Sequence, residues 1–329
     1  MSTLFPVTHS ILSAKALMMN VLSAYDTADF GACRLLSRGL NDTYEVTTSK
    51  GEQYVLRVYR TNWRSLDDIA FELDLLNHVS AKGVACSSPV PQRDGTFVQT
   101  VDAPEGKRHV VLFTYASGKE PSYEETLEAQ ALAYGKATAQ FHNAAQDFRS
   151  PYSRPSLDSE YLIDAPMTTI GPLLQHRPED WAYLQALVNK IRHRLSMLPP
   201  DELEMGVCHG DFHGGNAHIS ESGVVTFFDF DCCGLGWRAY DIAVFRWSAR
   251  LRGKEKERWE SFLQGYTEER HLADADLRAI PLFIGIRHIW LLGLHTGNGQ
   301  DWGFGWMNDG YFSSQLKFLK EWEAEYCTD

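Results

Sequence analysis

The strongest constraint on the fold is a change of pattern about a third of the way along the chain. From residue 33 to residue 115 the apolar residues come in short β-rich runs: CRLLS (33–37), TYEVTT (43–48), YVLRVYR (54–60), TFVQTV (96–101) and HVVLFTY (109–115). Turn residues, Gly39 to Asp42 and Ser49 to Gly51, separate the first three, which predicts an antiparallel meander. Leu66, Ile69, Leu73, Leu76 and Val79 lie on one helical face that Gly83 closes, and Ile11, Leu12, Ala16, Met19 and Leu22 predict a short leading helix over 10–25. After Ser117 and Gly118 the spacing becomes helical: an Ala-rich stretch over 124–148, a Pro-rich loop over 151–178, a helix over 181–195, and near-continuous, Trp-rich helix from Tyr240 onward. One short β segment interrupts it. The expected class is α+β and bilobal: a small antiparallel β lobe with one inserted helix (1–115), then a large, mainly helical lobe (116–329).

Composition narrows the partners. The net charge of −12 and the lack of a basic stripe argue against a nucleic-acid binder, which must displace phosphate counterions. The six cysteines form no C-x-x-C pair, and scattered thiols suit a reducing cytoplasm. No secretory signal is read at the N-terminus, where Lys15 interrupts the only apolar run. The most apolar stretch after the N-terminal run, 280–294, is broken by Arg287 and His288, so a buried helix is expected rather than a membrane span.

Chemistry concentrates in HGDFHGGN (209–216) and in DFDCCG, which opens at Asp229, thirteen residues after Asn216. Phosphoryl transfer needs few groups in fixed places. A carboxylate takes the proton of the attacking hydroxyl, and Asp211 is of that kind. An amide oxygen helps hold magnesium, and Asn216 lies five residues on. A further carboxylate meets the metal, and Asp229 stands at the end of an apolar strand, VVTFF. Asp-x4-Asn followed by a strand-end Asp is also the spacing of the protein-kinase catalytic loop. The competing reading is a zinc cage of His209, Asp211 and His213 with Cys232 and Cys233 behind. Glycines after His209 and His213 disfavour the regular strand that would align those ligands, and no second histidine cluster has ligand spacing. A P-loop, a G-x-S-x-G elbow and a GxGxxG turn are all missing.

HGDFHGGN followed by FFDFD resembles the aminoglycoside phosphotransferase / choline kinase / homoserine kinase superfamily, which has a protein-kinase-like fold. GLNDTYEVTTSKGEQYVLRVYR resembles that family's opening hairpin and third strand, so the likeness covers roughly residues 30–250. The resemblance implies ATP and Mg2+ as cofactors. It makes Asp211 the catalytic base, Asn216 a magnesium ligand and Asp229 the principal metal carboxylate, with Asp231 nearby as a second acidic contact. His209 and His213 would support the loop, and Asp241 would tie it to the following helix. Ser37 to Tyr44 would cover the phosphates, while Thr114, Tyr115 and Ala116 would present backbone groups to adenine. The family's phosphate-pairing lysine is replaced here by Arg57, which would clamp the phosphates and pair with Glu72. An arginine keeps the charge but prefers bidentate geometry.

The resemblance places the acceptor pocket in the helical lobe. Trp290, Trp302, Phe304 and Trp306 are its candidate walls, with Tyr311 close behind. Aromatic faces beside Asp301 and Asp309 suit an amine through cation–π attraction. The Gly-rich stretch 295–306 reads as a loop. The expected activity is ATP- and Mg2+-dependent phosphorylation of a hydroxyl on a small, amine-bearing metabolite of the homoserine, choline/ethanolamine or aminoglycoside class. Three alternatives stand beside it: a bacterial stress-type protein Ser/Thr kinase, a nucleotide-binding pseudokinase regulator suggested by Arg57, and a zinc hydrolase.

Overall fold

The structure is a computed structural model that describes residues 5–26, 29–121 and 127–327. The chain divides into two compact units. The first runs to Gly118 and regains Phe148–Arg154 and Thr226–Asp231; the second comprises Lys119–Asp147, Pro155–Val225 and the chain from Cys232 onward.

The first unit contains helix α1 (Ala14–Asn20), strands β1 (Phe30–Arg38), β2 (Asn41–Thr48) and β3 (Gln53–Tyr59), helix α2 (Leu66–Ala81), and strands β4 (Gln99–Ala103) and β5 (Gly106–Thr114). The strands form one antiparallel sheet in the order β1-β2-β3-β5-β4, the meander read from the turn residues with a hairpin added. Leu17, Val21 and Leu22 pack with Tyr44, Val46, Leu56, Val58, Val110 and Leu112 in one apolar core. Two local expectations are corrected here. The leading helix starts only at Ala14, because Ser10 is held by Glu105 and the Leu12 carbonyl accepts from the Tyr44 hydroxyl at 2.7 Å, leaving that segment extended. Strand β4 starts at Gln99 rather than Thr96, because Thr96 bonds back to the Asp94 carboxylate in a turn. Helix α2 opens with a capping box in which the Ser65 hydroxyl accepts from the Asp68 N–H and Asp68 accepts from the Ser65 N–H.

The second unit begins with α3 (Leu127–Ala144), a π turn at Glu160–Asp164, α4 (Ala165–Leu173) and α5 (Pro178–Ser196). The expected 151–178 loop is therefore largely helical. Pro166 sits in the first turn of α4, where its missing N–H costs nothing, and Leu162, Ile163 and Ile170 bury the apolar side of the segment. Four short strands follow in the chain, β6 (Met205–Cys208), β7 (Ala217–Ile219), β8 (Val225–Phe227) and β9 (Gly234–Trp237); β6 and β9 pair antiparallel, while β8 lies mostly in the Thr226–Asp231 stretch of the first unit. Helices α6 (Arg238–Leu251), α7 (Glu255–Glu269), α8 (Asp274–Gly297), α9 (Gly299–Trp302) and α10 (Asp309–Tyr326) complete it. The stretch expected as a loop over 295–306 is helical to Trp302 apart from Asn298, and turns only at Gly303, whose φ is +82°. Two glycines let α3 and α7 touch. A Cβ on Gly135 would lie 2.0 Å from the Phe262 carbonyl oxygen, and one on Gly265 would lie 2.1 Å from that of Leu132.

Helix α8 is long and apolar enough to cross a membrane by length and composition, yet most of that stretch is buried within the fold, as expected of a core helix. It carries His288, which is buried, stacks on Phe318 with ring centroids 4.1 Å apart and accepts from the Trp247 indole N–H at 3.2 Å. Burial pushes its imidazole down to about 3. The unfolded chain, with a histidine near its ordinary value, therefore binds a proton that the folded chain refuses at any pH from about 6.5 down to about 3. Stability is full above that window and is lost as pH falls through it, by about 1.4 kcal/mol per pH unit from this group. Denaturant melts of wild type and His288→Gln between pH 7 and about pH 4 check this: the variant has the shallower slope.

Candidate active site

The first unit gathers Arg57, Glu72 and Asp229. Strand β3 places Arg57 opposite Thr43 on β2 and Val111 on β5, so its side chain leaves the middle of the sheet, buried to 8% exposure. Its Nη1 donates to Glu72 Oε1 at 2.7 Å and its Nη2 to Asp229 Oδ1 at 3.0 Å. The Tyr59 hydroxyl donates to the other Glu72 oxygen at 3.0 Å, and the Phe113 ring lies 5.0 Å from the guanidinium. Burial pushes the Glu72 carboxyl up, and the charges of Arg57 and Arg154 offset part of that rise. Desolvation works against the Arg57 charge, but Glu72, Tyr59 and Asp229 outweigh it and hold the guanidinium firmly protonated. This explains the arginine: a planar fork reaches two carboxylates at once, which a single ammonium does with far less geometric definition.

Asp229 follows β8, which is anchored in this unit by hydrogen bonds from Phe227 N–H to the Ala85 carbonyl and from Ser87 N–H to the Phe227 carbonyl. Its backbone sits in the left-handed region, φ +62°, a conformation that Asp tolerates better than most residues. Its side chain is 48% exposed, so the carboxylate keeps access to solvent while one oxygen meets Arg57. Asp231 differs sharply. It is buried, with the Trp63 indole N–H donating to it at 2.6 Å and Arg64 Nε at 3.2 Å, while Arg154 bonds its carbonyl. The contacts of Asp231 thus bind the 148–154 and 226–231 segments to the sheet unit. Thr114 closes β5 with its N–H and hydroxyl both bonded to Ser88 at 2.9 Å, and Tyr115 and Ala116 follow it, Ala116 buried.

The second unit holds the 209–216 loop, which leaves β6 at Cys208. Gly210 has φ +80°, and a Cβ there would lie 2.2 Å from the Cys232 carbonyl oxygen, so only glycine fits. Asp241, in the first turn of α6, accepts the N–H groups of His209 at 2.7 Å and Gly210 at 2.8 Å. His142 on α3 braces Asp241 at 3.2 Å and meets the Tyr266 hydroxyl at 2.9 Å; neither residue carries a local sequence signal for this role. His209 is buried against Phe212, and its Nδ1 accepts from the Asp211 N–H at 3.2 Å. His213 Nδ1 accepts from Gly215 N–H at 3.0 Å, closing the turn that carries Asn216. The two histidines thus spend ring nitrogens on the loop's own backbone. Among the described residues no group of three or more His, Cys, Asp or Glu is placed to hold a metal, so the zinc cage has no support.

Both oxygens of Asp211 are engaged. Asn216 Nδ2 donates to Oδ2 at 2.9 Å, with His213 Nε2 3.5 Å from the same oxygen, and Arg287 Nη2 donates to Oδ1. Burial alone would raise this carboxyl, but Arg287 overrides it, helped by His213, and holds it well below the usual carboxylate range. With its amide nitrogen turned to Asp211, Asn216 has its Oδ1 as the atom suited to a cation. Arg287 was noted from sequence only as a charge that interrupts an apolar helix, and that interruption is the signal that could have flagged it.

The four aromatic residues do not form one wall. Trp290 is buried and stacks on Arg287, its ring centroid 4.5 Å from the guanidinium carbon. Trp302 and Trp306 instead gather with Tyr311 around His295, at ring distances of 6.2, 5.1 and 5.9 Å, and the Tyr311 hydroxyl meets His295 Nδ1 at 2.6 Å. Trp306 remains 41% exposed and Phe304, lying against Gly299, 46%. Burial, and then the charge of Arg287, push the His295 imidazole down to about 4, so this cluster is uncharged at neutral pH.

Comparison with known proteins agrees with this fold. The pattern of the phosphotransferase enzyme family matches residues 32–279. An uncharacterized protein of Deinococcus radiodurans is 39% identical over 98% of this chain and 93% of its own length. The amicoumacin kinase of Bacillus subtilis is 26% identical over 79% of each chain, and the homoserine kinase of Rhodospirillum rubrum 27% identical over 79% of this chain and 78% of its own. Among solved structures, a microcompartment-associated aminopropanol kinase superposes with a TM-score of 0.72 at 26% identity, covering 94% of this chain and 95% of that one. The amicoumacin kinase hAmiN, solved with AMP-PNP, Ca2+ and Ami, shares the fold with a TM-score of 0.73 at 23% identity, covering 93% and 96%.

Proposed function

This chain belongs to the phosphotransferase enzyme family, and we propose that it transfers the γ-phosphoryl group of ATP, with Mg2+, to a hydroxyl of a small, amine-bearing metabolite. One observation carries the reading. Asp211 and Asn216, five residues apart, share a 2.9 Å hydrogen bond in a loop whose backbone is held by Asp241, so a carboxylate and an amide oxygen are presented together.

The residues of each unit fit their partners. In the first unit, Arg57 offers a fixed positive charge suited to phosphate oxygens, and half-exposed Asp229 offers a carboxylate suited to a divalent cation. Glu72 holds the arginine in place, and Asp231 braces the segment that carries Asp229. Ser37 to Tyr44, which spans the β1–β2 turn, is assigned to cover the phosphates, and Thr114 to Ala116 to present backbone groups to adenine. In the second unit, Asn216 offers its amide oxygen to a cation. Bound ATP supplies the phosphoryl group, and the cation offsets the charge on its oxygens.

Asp211 is ionised at neutral pH and ready to accept a proton. As the acceptor hydroxyl oxygen bonds to the γ-phosphorus and the bond from that phosphorus to its bridging oxygen breaks, the hydroxyl proton passes to Asp211. A weakly basic carboxylate suffices, because in a loose transition state the proton leaves late. For the acceptor, Trp302, Trp306 and Tyr311 around a neutral histidine offer π faces to an ammonium group. The substrates named for the relatives, an aminopropanol, homoserine and amicoumacin, support the same class.

The test is Mg2+-dependent ATP consumption with aminopropanol, ethanolamine, homoserine, aminoglycosides and a generic protein acceptor, using Asp211→Ala as the blank. Turnover with a small hydroxylated amine supports the reading. Phosphorylation of the protein acceptor alone overturns it.

A further inference from the structure

The centre of α8 poses a physical problem. Arg287 is 2% exposed in a long apolar helix, where an unpaired charge is strongly destabilising. Among the described residues its one carboxylate partner is Asp211. The guanidinium also lies against two indoles, 4.9 Å from the Trp247 ring centroid and 4.5 Å from that of Trp290, and its Nη1 approaches the Gly210 carbonyl at 3.4 Å. Trp247 is itself pinned by its indole N–H to His288. The arginine therefore has little freedom to rotate away from Asp211.

We propose that Arg287 is a positioning residue for the catalytic carboxylate, an inference that rests on reading Asp211 as the base. Arg287 holds Oδ1 and Asn216 holds Oδ2, so the plane of the carboxylate is set by two partners approaching from residues 287 and 216 of the chain. A carboxylate held by the loop alone could turn about its χ2, which is a soft torsion. Held at both oxygens, it meets the acceptor hydroxyl in one orientation, and a misplacement of about 1 Å in such a group costs about 10²-fold in rate. The indoles serve the same end: they fix the arginine through its faces and leave its N–H edge for the carboxylate. The competing explanation is structural, with Arg287 merely fastening α8 to the 209–216 loop, and the two differ in what they predict.

The experiment uses Mg2+-dependent ATP hydrolysis, with water as the acceptor, and phosphorylation of aminopropanol and homoserine. It compares wild type, Arg287→Lys, Arg287→Met, Asp211→Asn and the double variant Asp211→Asn/Arg287→Met. Expected is a fall of about 10²-fold in kcat for Arg287→Met with KM for ATP unchanged, and partial recovery in Arg287→Lys, which keeps the charge without the fork. In the Asp211→Asn background, Arg287→Met has no further effect on turnover, because it acts through the group already removed. Losses that multiply in the double variant overturn the proposal, as does a loss in Arg287→Met that only tracks the fraction unfolded in a thermal melt. Wild-type kcat in Arg287→Met, with Asp211→Asn inactive, overturns it while leaving the functional reading intact. Full activity in Asp211→Asn overturns the functional reading instead.

Discussion

Asp211→Asn lowers phosphoryl transfer by about 10²–10⁴-fold while nucleotide affinity in the presence of Mg2+ is unchanged. The asparagine is the informative substitution, because Asp211 has a second task. Its carboxylate is the counter-ion of a buried arginine, and Asp211→Ala leaves that guanidinium without its carboxylate, which costs on the order of 3–5 kcal/mol of folding stability. The amide of asparagine still accepts a hydrogen bond from Arg287 but takes no proton from a hydroxyl. Steady-state kinetics and denaturant melts on both variants separate the two tasks: both lose turnover, and the alanine variant also melts at markedly lower denaturant. Wild-type turnover in Asp211→Asn would remove the base assignment.

The second large effect is expected at Asp229. Asp229→Ala abolishes the Mg2+ dependence of nucleotide affinity, so that titrations of AMP-PNP with Mg2+ and with EDTA give a ratio of about 1, where a metal-bridged nucleotide gains several kcal/mol. Folding loses only the strain of placing alanine at φ +62°, about 1–2 kcal/mol, and the other contacts are spared for reasons visible in the geometry. The Asp229 side chain is half exposed, a setting in which an ion pair contributes about 1 kcal/mol or less. Arg57 keeps Glu72 at 2.7 Å when Asp229 is gone. A melt only modestly below wild type, together with lost Mg2+ dependence, therefore reads on the metal role rather than on structure. An affinity that still tightens with Mg2+ in Asp229→Ala would remove Asp229 from that role.

These two residues could be singled out from sequence because their signals are local. Asp211 and Asn216 lie within one loop, and the turn that brings them together needs only the glycines and histidines between them. The β1-β2-β3 meander was legible for the same reason, since each strand pairs with its neighbour in the chain and the turn residues mark the register. Misreadings arose where a distant group decides a local conformation. Ser10 and Leu12 are extended because Glu105 and Tyr44 hold them, and the Pro-rich 151–178 segment is helical over 160–173 because that part has an apolar side to bury. The Gly-rich 295–306 stretch continues as helix to Trp302, apart from Asn298, because α8 is packed along its length to Thr296, and packing overrides the low helical preference of glycine.

Side-chain roles divide along the same line. Sequence alone determined the fold class, the strand order of the meander, and the residue types of a phosphotransferase loop, because alternation, turn chemistry and a five-residue spacing are properties of neighbouring residues. Only the tertiary structure decided which charges meet. Asp231 looks like a twin of Asp229 in the motif, yet it is committed to Trp63 and Arg64, residues 168 and 167 positions away. Trp290 looks like a companion of Trp302 and Trp306, yet it stacks on an arginine while the other two surround His295. Arg287 looks like a flaw in an apolar helix, yet it reaches back 76 positions to Asp211. A charge excluded from water must find its counter-charge wherever the fold brings one, and no local spacing in the chain records that partner.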